Sequence, residues 1–197
     1  MQLLKPNTCL DWFRIYLLYK KAFPSYERKP FSLIYNTNKK GHTDVWILSN
    51  NNAFLGLAIT MNDLDLVLLD YFAIEPKYRN QGLGTKALHL LHHHYQNQRL
   101  FIEIESTFVD CDNLEERIKR KDFYLRNGMK ELNLHANVFG TEMELLSFQT
   151  NITFQDYYNT YLHIYGKFSA DHLKELKKDP TSSIWFRKNK RNLYAYD

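Results

Sequence analysis

Apolar residues fall along this chain in two rhythms. Over residues 9–22, Leu10, Phe13, Leu17 and Leu18 recur at helical spacing, which predicts an amphipathic helix. Pro24 and Pro30 then bracket a loop, "FPSYERKP", since proline ends helices and biases its predecessor toward extended forms. The rhythm shortens to that of strands in "TDVWILS" and "AFLGLAIT", joined by asparagines as a hairpin. "DLVLLDYFAI" is apolar enough for a strand buried on both faces. Helical spacing returns at Leu83, Ala87, Leu90, Leu91 and Tyr95, and strand spacing in "LFIEIES", with Ile102 and Ile104 on one face and Glu103 and Glu105 on the other.

The helix of "DCDNLEERIKRKDFYLRNGM" takes Asp112 as N-cap, Glu115 as its capping-box partner and Gly128 as a left-handed C-cap. "LHANVFG" and "EMELLSF" read as a closing antiparallel pair turning near Gly140 and Thr141. Past residue 150, a tyrosine-rich helix starts after Thr153, a second helix is capped by Ser169, and a basic, aromatic tail follows. The order of elements predicts a mixed α/β (α+β) fold rather than a regular βαβ repeat. Its mainly antiparallel central sheet is flanked by helices. Residues 1–150 form the main domain and 151–197 a C-terminal helical extension packed on it.

Composition narrows the class. With 197 residues, 44% of them hydrophobic, the chain is long enough for one core, and its 14 Tyr and 13 Phe argue against disorder. The net charge of +4 helps attract an anion but falls far short of a dedicated nucleic-acid binder. Cys9 and Cys111 fit no metal or redox spacing and read as reduced thiols, and no stretch reaches the length of a membrane span. A cytoplasmic location is the expectation. His89 and His93 are four apart in a run of four histidines, but without the glutamate or third ligand of a zinc site they predict no metal.

The chemistry-bearing stretch is "EPKYRNQGLGTKAL", a glycine turn between a strand and a helix. A helix N-terminus offers unpaired N–H groups and the positive end of its dipole, and glycine lets backbone close around an anion. Arg79, Gln81, Gly82, Gly84 and Thr85 are so placed around a phosphate or pyrophosphate. The order of residues is not a Walker A loop, because Lys86 follows Thr85, and two glycines do not make the dinucleotide fingerprint.

In "AIEPKYRNQGLGTKALHLL", in Tyr124, Gly128 and Met129 of "FYLRNGM", and in the early "AFPSYERKP", the chain resembles the GNAT-type N-acetyltransferase family. "FIEIES" with "RIKRKDFYLRNGM" resembles a bacterial subgroup with a Phe-Leu-Glu-Val-Glu strand. The resemblance implies acetyl-CoA as cosubstrate and direct transfer to a primary amine of a small molecule or peptide. It puts the CoA pyrophosphate on the Arg79–Thr85 backbone, including Asn80 and Leu83, and pairs pantetheine with Phe72, Ala73 and Ile74. The Ile74 N–H would face the thioester carbonyl, and Tyr124 would protonate the leaving thiolate.

Two positions depart from the family pattern. Arg117 stands where relatives place a CoA-contacting asparagine, and Asn80 where glycine is common. Glu105 and Glu103 are the candidate bases, and Glu27 could hold a cationic acceptor. Other readings stay open: a non-catalytic acyl-CoA-binding or regulatory module on the same scaffold, or a nucleic-acid-associated protein using the tail. A tyrosine stripe at 157, 158, 161 and 165 reads as packing, with a homodimer as a further partner.

Overall fold

The computed structural model describes residues 1–176, so the basic aromatic tail lies outside the described residues. Strand β1 (Gln2–Leu4) precedes helices α1 (Cys9–Ala22) and α2 (Phe31–Lys39). Strands β2 (Thr43–Asn50), β3 (Ala53–Asp63) and β4 (Leu66–Ile74) follow as a meander, then α3 (Leu83–His94), β5 (Arg99–Glu105) and α4 (Leu114–Arg126). Strands β6 (Lys130–Val138) and β7 (Thr141–Ser147), helices α5 (Phe154–Tyr165) and α6 (Lys167–Asp171) and strand β8 (Leu173–Glu175) complete it. All eight strands form one sheet in the order β1-β2-β3-β4-β5-β7-β6-β8, antiparallel throughout except between β4 and β5.

Alternating side chains bury both faces. Leu57, Ile59, Tyr71 and Ala73 meet α1 and α2, while Met61, Leu68, Phe101 and Leu145 meet α5 and α6 on the same side. Ala58, Val67, Leu69, Ile102 and Leu146 meet α3 and α4 on the other. Helices α1 and α5 each open on a capping box, Thr8 with Asp11 and Thr153 with Asp156, which satisfies N–H groups the helix leaves unpaired.

Several expectations are corrected. Helix α1 buries Ile15, Leu18 and Tyr19, while Leu10, Phe13 and Leu17 are half exposed; the helix is apolar on more than one side, and spacing alone chose the wrong one. Helix α2 is absent from the sequence reading because its nine residues bury only Ile34 and Thr37. The N-cap of α4 is Asn113, one residue beyond Asp112, and makes no side-chain capping bond. Gly128 does close that helix in a left-handed turn (φ +93°), with Gly128 N–H on Leu125 O and Met129 N–H on Tyr124 O. The helix expected after Ser169 is replaced by α6, which already begins at Lys167, and by β8, which pairs with β6. Tyr157 and Tyr161 are fully buried against the sheet, so that part of the stripe is packing and not a surface for a second copy.

Candidate active site

The site begins where two strands part. Strands β4 and β5 pair only from Leu66–Arg99 to Leu68–Phe101. Two residues later the register against β3 slips between Tyr71 and Leu69, leaving Asp70 as an extra, bulged residue. A bulge bends its strand, and here β4 and β5 diverge into a cleft of about 1340 Å³. Its walls include Phe72, Ala73 and Ile74 of β4, Glu103 and Glu105 of β5, the α1–α2 loop, the α3 N-terminus, and Phe123 and Tyr124 of α4.

The backbone of β4 is half engaged. Glu75 N–H bonds to Leu55 O across β3 at 2.8 Å. Donors alternate sides along an antiparallel strand, so the N–H groups of Phe72 and Ile74 turn from β3 toward the gap. The Ile74 carbonyl accepts from Arg79 Nε at 3.1 Å, which fastens the turn before α3 to the end of β4.

That turn fits an anion. Gly82, the N-cap of α3, is left-handed (φ +70°) with nothing within 4 Å of the position a Cβ would take. Asn80 is left-handed as well (φ +59°), a conformation asparagine tolerates better than most side chains, which explains how it stands in for glycine. The first bond of α3 runs from Lys86 N–H to Gly82 O, so the N–H groups of Leu83, Gly84 and Thr85 have no intrahelical acceptor. Gly84 is small for a different reason: a Cβ there would lie 3.4 Å from the Phe123 ring. Gln81 is turned back onto Lys77 O at 3.3 Å and does not line the cleft.

Tyr124 is buried at the cleft wall, and among the described residues its hydroxyl has no hydrogen-bond partner. Burial pushes that hydroxyl up to about 12, with Arg120 pulling the other way. The two glutamates of β5 have different surroundings. Glu105 is held through one oxygen by Arg117 at 2.7 Å and through the other by Arg120 at 3.5 Å, so both oxygens face guanidiniums. Glu103 accepts from the hydroxyls of Tyr157 and Tyr161, the latter at 2.8 Å, and forms no ion pair among the described residues. Burial raises its carboxyl above the usual range, against the pull of the Lys29 ammonium, and Asp70 raises it further.

Arg117 is not part of the cleft wall. Its guanidinium is spent on Glu105, on Asn113 Oδ1 at 2.9 Å and on Ser106 O at 3.1 Å. Glu27 lies in the wall without an ion pair among the described residues, its carboxyl raised by burial and then by Glu105.

One pair escaped the sequence reading. Lys29 Nζ bonds both oxygens of Asp70, at 2.7 and 2.8 Å, with the Tyr161 and Tyr165 rings 5.4 and 5.1 Å away. Tyr71 ties the loop down by accepting from Lys29 N–H and donating to Glu27 O. The available signal was a lone carboxylate inside "LVLLDYFAI", since a charge buried on both faces needs a partner.

Residues 12–128, more than half of the chain, match the family model described as "Acetyltransferase (GNAT) family". The chain belongs to the GNAT acetyltransferase family. Solved structures share the fold. A GNAT-family structure from Bacteroides thetaiotaomicron superposes with a TM-score of 0.73 at 17% identity, covering 85% of this chain and 99% of that one. The ribosomal-protein-S18-alanine N-acetyltransferase from Escherichia coli gives 0.57 at 19%, covering 77% and 95%. An aminoglycoside 6'-N-acetyltransferase complexed with coenzyme A gives 0.59 at 10%, covering 78% and 100%. Among curated proteins none matches the chain. Within the GNAT fold, then, this chain places a glycine turn, a parted strand pair and a buried tyrosine around one cavity. No helix among the described residues is long and apolar enough to cross a membrane.

Proposed function

We propose that this protein transfers the acetyl group of acetyl-CoA directly to a primary amine of a small molecule or peptide. One observation carries the reading. The free N–H groups at the α3 terminus, the β4 edge turned toward the gap and the Tyr124 hydroxyl all open into the same cavity. Acetyl-CoA is the cosubstrate, and it supplies an activated thioester carbonyl.

The Leu83, Gly84 and Thr85 N–H groups, with Arg79, Asn80 and Gly82 shaping the turn, hold the pyrophosphate at the helix end. Phe72, Ala73 and Ile74 present a strand edge to the pantetheine arm, as in strand addition. The Ile74 N–H donates to the carbonyl oxygen as that oxygen gains negative charge, which a fixed donor in a water-poor cleft does well. Glu103 takes the proton the amine loses when its nitrogen bonds the acetyl carbon. Its raised carboxyl is nearer to matching that task than an ordinary glutamate, and its oxygens are not neutralised by arginine as those of Glu105 are. Tyr124 gives its proton to the sulfur as the carbon–sulfur bond breaks, leaving amide and free thiol. Glu27 holds a cationic acceptor at the loop side of the cleft.

The test is thiol release from acetyl-CoA over a panel of polyamines, aminoglycosides, amino acids and peptide N-termini, with Gly82→Glu alongside. That substitution forces a side chain into a left-handed position and sets a carboxylate where the phosphate sits. Acceptor-dependent release that Gly82→Glu abolishes is the expected result. CoA binding with no transfer to any amine would instead favour the non-catalytic module.

A further inference from the structure

Cationic side chains around the cleft are mostly spoken for. Lys29 is paired with Asp70, Arg120 with Glu105, and Arg79 with the Ile74 carbonyl. Among the described residues Arg28 and Arg126 are not. Arg28 lines the cleft from the α1–α2 loop as a half-buried residue, and its Nε is buried with no acceptor among the described residues, which sets it apart from Arg126. A buried N–H left unpaired is costly and uncommon, and an oxygen of protein, water or ligand relieves it. Guanidinium is also specific about what relieves it, since its planar fork of N–H donors matches the two oxygens of a carboxylate.

The position of Arg28 separates it from the phosphate cradle. It sits between Glu27, whose carbonyl accepts from Tyr71, and Lys29, whose N–H donates to Tyr71 and whose ammonium holds Asp70. From Asp70 to Ile74, where the cradle is fastened, β4 runs four residues, roughly 13 Å at strand rise. Arg28 therefore lies on the side of the cleft away from the cradle, on the same loop as Glu27, and Glu103 lines the same cleft.

We infer that the acceptor is a zwitterion, an amine that also carries a carboxylate, and that the Arg28 guanidinium grips that carboxylate while the amine faces Glu103. This rests on the acetyl-transfer reading and narrows its substrate to amino acids and amino-acid-like molecules with a free carboxylate. A diamine or polyamine would satisfy Glu27 and Glu103 but leave Arg28 unpaired.

The experiment uses the full chain and matched pairs: the proteinogenic amino acids, β-alanine and 4-aminobutyrate, each against its own primary amide. Both members of a pair offer the same amine, and only one offers the carboxylate. Thiol release is measured for the parent and for Arg28→Gln, with calorimetric binding of the best pair to the CoA-loaded protein. The expected result is an acid-over-amide preference of at least about tenfold in kcat/KM for the best pair, collapsing to about one in Arg28→Gln mainly through KM. Among the described residues Arg28 has no hydrogen-bond or ion-pair partner to lose on substitution, so the variant should melt with the parent. Amides used as well as acids, or a preference that survives Arg28→Gln, overturns the inference while leaving acetyl transfer standing. Acids that bind through Arg28 without thiol release keep the inference and sink the transfer reading. If neither acids nor amides bind or react, the inference fails.

Discussion

Removing the Lys29 ammonium should unbalance the floor of the cleft. In Lys29→Met the methionine fills most of the space but leaves Asp70 without a cation. The Asp70 side chain is only 4% exposed and Lys29 20%, and both carboxylate oxygens lie within 2.8 Å of Nζ. Breaking one partner out of such a pair costs about 3–5 kcal/mol, because the remaining charge stays buried. For a chain of this size, that is a fall in Tm of roughly 6–20 °C. The double variant Lys29→Met/Asp70→Leu removes the stranded charge as well and should recover most of the loss. Urea unfolding followed by tryptophan fluorescence gives both stabilities, and adding Asp70→Leu completes the cycle that gives the coupling.

The sign of the pH dependence is fixed too. Burial opposes the Lys29 charge, but Asp70 in front, then Tyr165 and Glu103, hold its proton above the usual lysine range. The raised lysine therefore contributes its share in full below about pH 10.4, the free lysine value, and that share fades above it. The same ammonium holds down the Glu103 carboxyl, so in Lys29→Met the acid limb of the rate profile should move to higher pH. A single variant costing under about 1 kcal/mol, or a double variant no more stable than the single, would refute the reasoning.

Other outcomes follow from the same geometry. Tyr124→Phe removes the proton donor but little packing, so kcat should fall about 10²-fold or more with little change in acetyl-CoA affinity; unchanged turnover would rule it out as the acid. Because burial keeps the parent hydroxyl protonated up to about 12, kcat should show no basic limb from this group below about pH 10. Glu103→Gln should slow turnover about 10²-fold or more, yet stabilise the fold at pH 8. A carboxyl raised in the folded state favours folding fully below about pH 4.3 and loses that contribution as pH rises, so the variant's advantage should shrink in acid. Thr153→Ala breaks the α5 capping box and should cost about 1 kcal/mol in urea unfolding, with α5 as the first element to lose amide-exchange protection.

The left-handed turn at Asn80 and Gly82 before α3 was readable in the sequence because it is local. A glycine turn between a strand and a helix is made of neighbours, and its chemistry is mostly backbone. Tyr124 was readable because its position is set by the Gly128 turn four residues on. The two glutamates were placed on one strand face, as they lie, but their different partners were not visible, since Tyr157 and Tyr161 reach Glu103 across more than fifty residues. Lys29 and Asp70 are forty-one apart and meet only because a bulge turns β4. Arg117 shows the limit of carrying a family position forward, because in this chain it braces Glu105 and the α4 N-terminus instead of facing the cleft. The short elements failed for want of pattern: β8 has three residues, and Leu173 with Leu176 happens to repeat at helical spacing.

The outer strands of the sheet, β1 and β8, are three residues each. An exposed strand edge is a template on which another chain can pair, and short edges offer little to copy. The long unpaired stretch of this sheet lies instead between β4 and β5, walled in by α4, α5 and the α1–α2 loop. Opening the sheet internally thus puts the free strand edge where a small ligand fits and a neighbouring protein does not. Truncations that strip α5 from that wall should be judged for aggregation before they are judged for activity.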